Sequence, residues 1–301
     1  MRCQTCGDVA SPEHHECQRC YTPTGQPAVA PGLPTYSVSG IGLAARIAVG
    51  ATAVLYLVAA LAPLVGMAMA RQARAEGNAD LLLGAAIVGG LLSLPMLAAY
   101  LTAAVLVIIW TWRTRKNIEA FPGSLPTLGA GWAIAGWLVP FANFVMPVRV
   151  VANVARDSLW RRFTPSLVYV WWAAWLVFLL GERLVSRADG QAYDRLPEAP
   201  FGDAGYQAYI DHYRDALLRN TLPAAACVVA AVALIVLVRQ ISTAQAARIA
   251  RAMPAWPTAP GWPAPPVLGA PVPGEPVPAA VPPTTPVSPQ GTPGAGGTIG
   301  A

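Results

Sequence analysis

Apolar and polar positions fall along this chain in long blocks. Residues 47–70 run 24 positions without a charge, between Arg46 and Arg71. At about 1.5 Å per residue such a helix covers a hydrocarbon core of about 30 Å. After a polar turn at 71–80, residues 81–110 form a second uncharged block of 30 positions, with Pro95 expected to kink it. A third span is expected at 166–185, rich in Trp171, Trp172, Trp175 and Phe178. Its strictly apolar part ends at Gly181, so Glu182 and Arg183 are expected at an interface, where the arginine can snorkel. The fourth span is 222–238, with Pro223 tolerated in its first turn. The acidic loop before it spaces Tyr206, Tyr209, Ile210, Tyr213 and Leu217 as one external helix.

One apolar block departs from this pattern. Residues 129–148 read GAGWAIAGWLVPFANFVMPV, with Pro140, Asn143 and Pro147 where a plain span would carry Leu or Val. Proline removes a backbone donor and strains the preceding turn, and lipid offers the freed carbonyls no partner. The block is therefore expected to be re-entrant and covered by protein. Its 20 uncharged residues are long enough to cross instead, which keeps a five-span arrangement open. Beyond it, Arg149, Arg156, Arg161 and Arg162 interleave with Val150, Val151, Val154, Leu159 and Trp160. Such a helix suits either a membrane surface or a protein-packed face.

With 55% hydrophobic and 12% charged residues, the chain falls outside the soluble range. The 19 arginines against the single Lys116, with abundant alanine, fit a GC-rich bacterial coding sequence. If 129–148 returns, one side of the membrane carries 13 Lys/Arg and 6 acids, the other 7 and 9. The first side, with both chain ends, is then cytoplasmic. A full crossing would leave 11 basic residues against 9 and remove most of that bias.

Cys3-x-x-Cys6 and Cys17-x-x-Cys20 form two knuckles that together can offer four thiolates, a closed tetrahedral shell suited to structural zinc. The alternative is a pair of disulfides on an exported segment, but no signal peptide precedes them. His14 and His15 lie between the knuckles and are expected to be solvated loop residues, the shell being complete without them. The ribbon occupies 1–22 and a Pro/Gly-rich flexible linker is expected at 23–42. From Pro254 onward 15 of 48 residues are proline, so 253–301 is expected to be a disordered tail with polyproline II character. Spacings such as Pro260-x-x-Pro263 and Pro273-x-x-Pro276 could dock an aromatic groove, but in a tail this proline-rich they occur by chance, and a passive tether is the favoured reading.

Trp110-x-x-Arg113-x-x-x-Asn117, then Gly131-Trp132, Gly136-Trp137-Leu-Val-Pro140-Phe-Ala-Asn143 and Pro147-x-x-Val150 resemble the pattern of the DUF4328 family of bacterial membrane proteins. The resemblance covers roughly residues 45–250, with ribbon and tail appended. It implies an architecture and no reaction, the family being one of unknown function. It also implies an acidic residue ahead of a tryptophan on the helix after the second proline, which Asp157 and Trp160 match only loosely.

The expected fold is an all-α polytopic helical bundle over 43–252, with four transmembrane helices and the re-entrant segment. Trp110, Arg113, Asn117, Trp132, Trp137, Pro140, Asn143 and Pro147 are the motif residues in question. Arg113 and Asn117, four apart, share a helix face. Two roles are open for them: clamping the broken segment through its carbonyls and Asn143, or lining a pocket for a lipid head group or small anion.

Three function classes follow. The first is a non-enzymatic scaffold or signalling component with cytoplasmic protein partners, and the second is a small transporter or lipid/anion binder. The third is an intramembrane enzyme, for which HExxH, GxSxG and intramembrane aspartates are lacking, and no catalytic residue is assigned. No nucleic-acid partner is expected.

Overall fold

The computed structural model describes residues 1–10, 14–161 and 163–252. The proline-rich tail at 253–301, with its PxxP spacings, and Arg162 lie outside the described residues. Among those residues the chain is helical, with two isolated bridges in the ribbon and no strand. The helices are α1 (Ser39–Ala60), α2 (Ala62–Glu76), α3 (Asp80–Glu119), α4 (Trp132–Leu138), α5 (Met146–Ser158), α6 (Ser166–Tyr193), α7 (Gly202–Arg219) and α8 (Thr221–Ala252).

Four helical stretches are long and apolar enough to cross a membrane. Each is longer than the uncharged block that announced it. The first begins at Ser39 and breaks at Leu61. Pro63, at the start of α2, cannot donate to the carbonyl one turn back, so the chain turns there and restarts. Gly77, at φ 65°, ends α2 in the left-handed conformation that glycine takes at no steric cost. In contrast, α3 continues as one helix of 40 residues with Pro95 inside it.

The lower part of α1, the second half of α3, the first half of α6 and most of α8 pack around one core that includes Trp110, Trp171, Val150, Leu237 and Ile241. A second cluster joins α2, the start of α3 and α7 through Ala70, Ala73, Leu82, Tyr206, Tyr209 and Ile210. Tyr206, Tyr209 and Ile210 therefore share the buried face of one helix, α7, as their spacing implied.

The proline-broken block is not one continuous spanning helix. Helix α4 has seven residues, about 10 Å of rise against a core of about 30 Å. Val139 is extended before Pro140, Phe141 sits at φ 65°, and a 3-10 turn at Ala142–Phe144 leads into α5. Gly136 permits this hairpin, since a Cβ there would lie 2.7 Å from Met146 Cβ. The chain leaves α3 and returns at the end of α5 on one level, because Gln245 Nε2 donates to both Thr114 O (3.0 Å) and Ser158 Oγ (2.9 Å). The N-terminal ribbon touches the end of α8, so residues 1–10 and Arg251 share one side of the bundle.

Candidate metal centre and the buried polar layer

The two knuckles are built alike, fourteen residues apart. Cys3 N–H donates to Asp8 O and Gly7 N–H to Cys3 O, both at 2.8 Å; Cys17 N–H donates to Thr22 O at 2.9 Å and Tyr21 N–H to Cys17 O at 2.8 Å. Gly7 (φ 81°) and Tyr21 (φ 56°) hold the same left-handed corner. This brings the sulphurs of Cys3, Cys6, Cys17 and Cys20 within 4.8 Å of one another, with Cys3–Cys20 at 3.5 Å and Cys6–Cys17 at 3.6 Å. Thiolates 2.3 Å from a tetrahedral ion sit about 3.8 Å apart, so the set can hold a metal. His14 and His15 are exposed and stand outside it.

Burial works against the Cys3 thiolate, but donors from Cys6, Thr22 and Thr5 outweigh it and bring Cys3 down to about 6. Burial pushes Cys6 up to about 12. Arg251 of α8 closes the first knuckle from outside, its Nε donating to Gln4 O at 2.9 Å and its Nη2 to Thr5 O.

Residues 23–42, expected to be a flexible linker, are fastened to the bundle. Asn117 Oδ1 accepts from Tyr36 N–H (2.7 Å), and its Nδ2 donates to Tyr36 O (2.9 Å) and to Gln245 Oε1 (2.9 Å). Arg113 Nη1 donates to Ser37 O at 3.1 Å, and Tyr36 packs on Trp112 with ring centres 5.1 Å apart. Arg248 reaches Ala28 O (2.6 Å) and Pro122 O (3.0 Å), its guanidinium held between the Phe121 and Trp160 rings. Trp110 is fully buried and donates Nε1–H to Ser242 Oγ at 2.9 Å.

The expected clamp of Arg113 and Asn117 on the broken segment is therefore replaced by a clamp on the linker. Both side chains lie on the side of α3 that faces residues 36–37 and α8, which the spacing of four could not reveal. Asn143 is not among their partners, and its Oδ1 is buried without one among the described residues, as is Trp137 Nε1. Trp137 packs on Trp171 and Trp175, Pro147 is buried, and Trp132 and Pro140 are exposed. Asp157 does have work: its Oδ2 accepts from Asn153 Nδ2 (3.0 Å) and Leu125 N–H (3.3 Å), its Oδ1 from Arg156 Nε (2.9 Å). Burial lifts its carboxyl above the usual range, although these donors pull the other way. The latch pins the 121–128 loop, with Asn153 bonding Thr127 N–H and Leu125 O.

The family model described as Domain of unknown function (DUF4328) matches residues 73–243, more than half of the chain. The chain belongs to the DUF4328 family. Comparison with curated proteins and with solved structures finds no match. Within this DUF4328 chain, Trp110, Asn117 and Asn153 fall in the matched region, while Gln245, Arg248 and Arg251, which hold linker and ribbon, follow it. The span expected at 222–238 stops short of all three, whereas α8 runs on to Ala252. Ile241, Gln245 and Arg248 recur at helical spacing on one face, a signal that the helix continues past the membrane.

Proposed function

We propose that this protein is a non-enzymatic membrane scaffold, a four-span anchor that holds a structural zinc ribbon at the cytoplasmic face of a bacterial plasma membrane. The proline-rich tail would add a second binding surface for cytoplasmic proteins. One observation carries the reading: Asn117 and Arg113, the polar motif residues of α3, are consumed in bonds that fasten the linker, and Arg248 and Arg251 of α8 hold linker and ribbon. Asn117 has its amide oxygen and nitrogen engaged, and Arg113 and Arg248 are turned onto backbone carbonyls. The sulphur spacings support zinc, and a closed four-thiolate shell leaves no position for a substrate. The excess of basic residues on the ribbon side supports the cytoplasmic orientation.

A second reading, a lipid or small-anion binder, is favoured by the buried, unpartnered Trp137 Nε1 and Asn143 Oδ1 on the broken segment. Capture from native membranes separates the two. The full chain is compared with a Cys17→Ser/Cys20→Ser variant and with a chain ending at Ala252. Proteins held by the full chain and lost from both variants are the expected result, with one zinc per unaltered chain by elemental analysis. A lipid retained one per chain in both variants, with no protein lost, would refute the scaffold in favour of the second reading.

A further inference from the structure

Close contacts match the helices level by level. Gly42 of α1 lies on Ser242 of α8 and Trp110 of α3, Gly50 on Ile235, and Gly181 of α6 on Pro223 of α8. Past these, Gly66 of α2 lies on Tyr213 of α7, and Gly84 of α3 on Met69 of α2. The molecule is thus a lower bundle topped by an upper layer made of α2, α7, the first turns of α3 and the end of α6. The apolar parts of α6 and α8 run for about 25 Å, close to one hydrocarbon thickness. The upper layer carries Arg74, Arg187, Asp189, Asp211, Arg214 and Arg219, and such a density of charge belongs in water.

Helix α3 ignores that boundary. Its residues 81–110 are uncharged over about 45 Å. To fit a core of about 30 Å it would tilt by about 48°, past the range of about 0–40° seen for spans, and would drag α2 and α7 into hydrocarbon. In the upper layer Leu83, Ile87 and Leu91 are 64%, 53% and 65% exposed at four-residue spacing, one row on one helix side. Leu94, Leu97 and Leu101 carry exposed apolar surface onward to the level of the lipid.

We propose that a second copy of this chain covers this row, with two α3 helices side by side about a twofold axis along the membrane normal. A covering partner must itself cross the bilayer and stay uncharged for about 15 Å beyond it, since the apolar surface runs unbroken from water into lipid. This chain's α3 is such a helix, and two copies inserted the same way bring equal levels together, Ile87 beside Ile87. The row offers no charge or hydrogen-bonding group to specify an unlike partner. The inference rests only on the bilayer embedding, so it can fail while the scaffold reading stands.

Full-length Ile87→Cys in native membranes, treated with a short bismaleimide, tests it against Asp203→Cys on the exposed start of α7 and against the unaltered chain. The expected result is a product of twice 31.5 kDa for Ile87→Cys alone. In nanodiscs the unaltered chain is expected as two copies per disc, and Ile87→Arg/Leu91→Arg as one copy that keeps its bound metal. Should that double variant misfold, the crosslink decides. One unaltered copy per disc overturns the proposal, as does a crosslink to a different protein. A spin label at position 87 that collides with dissolved oxygen in the bilayer, or with an aqueous nickel chelate, and forms no crosslink overturns it as well.

Discussion

Asn117→Leu removes the polar atoms that tie the linker to α3 and α8 while keeping the branching and heavy-atom count of the side chain. Three hydrogen bonds go: two to the Tyr36 backbone and one to Gln245 Oε1. Tyr36 is half-buried, so its N–H and C=O regain water once the linker lifts, and each lost bond costs about 1 kcal/mol. Gln245 is 1% exposed, and its orphaned oxygen adds about 1–3 kcal/mol. The two Tyr36 bonds, about 2 kcal/mol together, weigh on linker detachment, while the Gln245 penalty of about 1–3 kcal/mol falls on the contact between α3 and α8. At about 1.4 kcal/mol per tenfold, the open linker becomes roughly 30-fold more populated. Chymotrypsin reads this directly, since Tyr36 is a cleavage site shielded by Trp112 and Tyr21 is exposed. Cleavage after Tyr36 should accelerate by about that factor, with Tyr21 as the internal reference. An unchanged Tyr36/Tyr21 ratio in a fully inserted variant would refute the clamp.

The metal centre and the packing make further outcomes testable. Metal loading deprotonates thiols, Cys6 among them at about 12, so zinc affinity should fall as pH is lowered; competition with a chelator across pH measures it, and a flat profile would count against thiolate ligation. Arg251→Ala should leave the metal bound but speed amide exchange in residues 1–10, because it deletes only the contacts to Gln4 O and Thr5 O. Gly42→Val places a Cβ 2.5 Å from Ser242 Oγ and 3.5 Å from Trp110, an overpacking cost of about 1–3 kcal/mol that lowers the thermal midpoint in detergent. Gly42→Ala should lower the midpoint less than Gly42→Val, and no loss in either would show that the contact is not tight.

Much of this architecture could be read from composition and local pattern. Length without charge announces a span because a charge in hydrocarbon is costly wherever the helix packs. Paired CxxC knuckles announce a metal shell because ligand type and spacing are local properties. Pro140 and Pro147 announced a broken element for the same reason: a missing N–H is decided at that residue. Helix ends were less legible. The first helix starts at Ser39 and α8 runs to Ala252, well past their apolar blocks, because helices extend through polar residues once one face is buried.

The partners of polar side chains lay beyond the reach of the sequence. Asn117 and Gln245 are 128 positions apart, and Arg251 and Gln4 247. The one-dimensional pattern determined which residues enter lipid, where the chain breaks and which sulphurs cluster. Only the packed structure decided that the linker is bound, that Asp157 latches a loop, and that α3 carries its apolar face past its neighbours. A donor's need for an acceptor is written in its own chemistry, whereas which acceptor it meets depends on how distant helices stack.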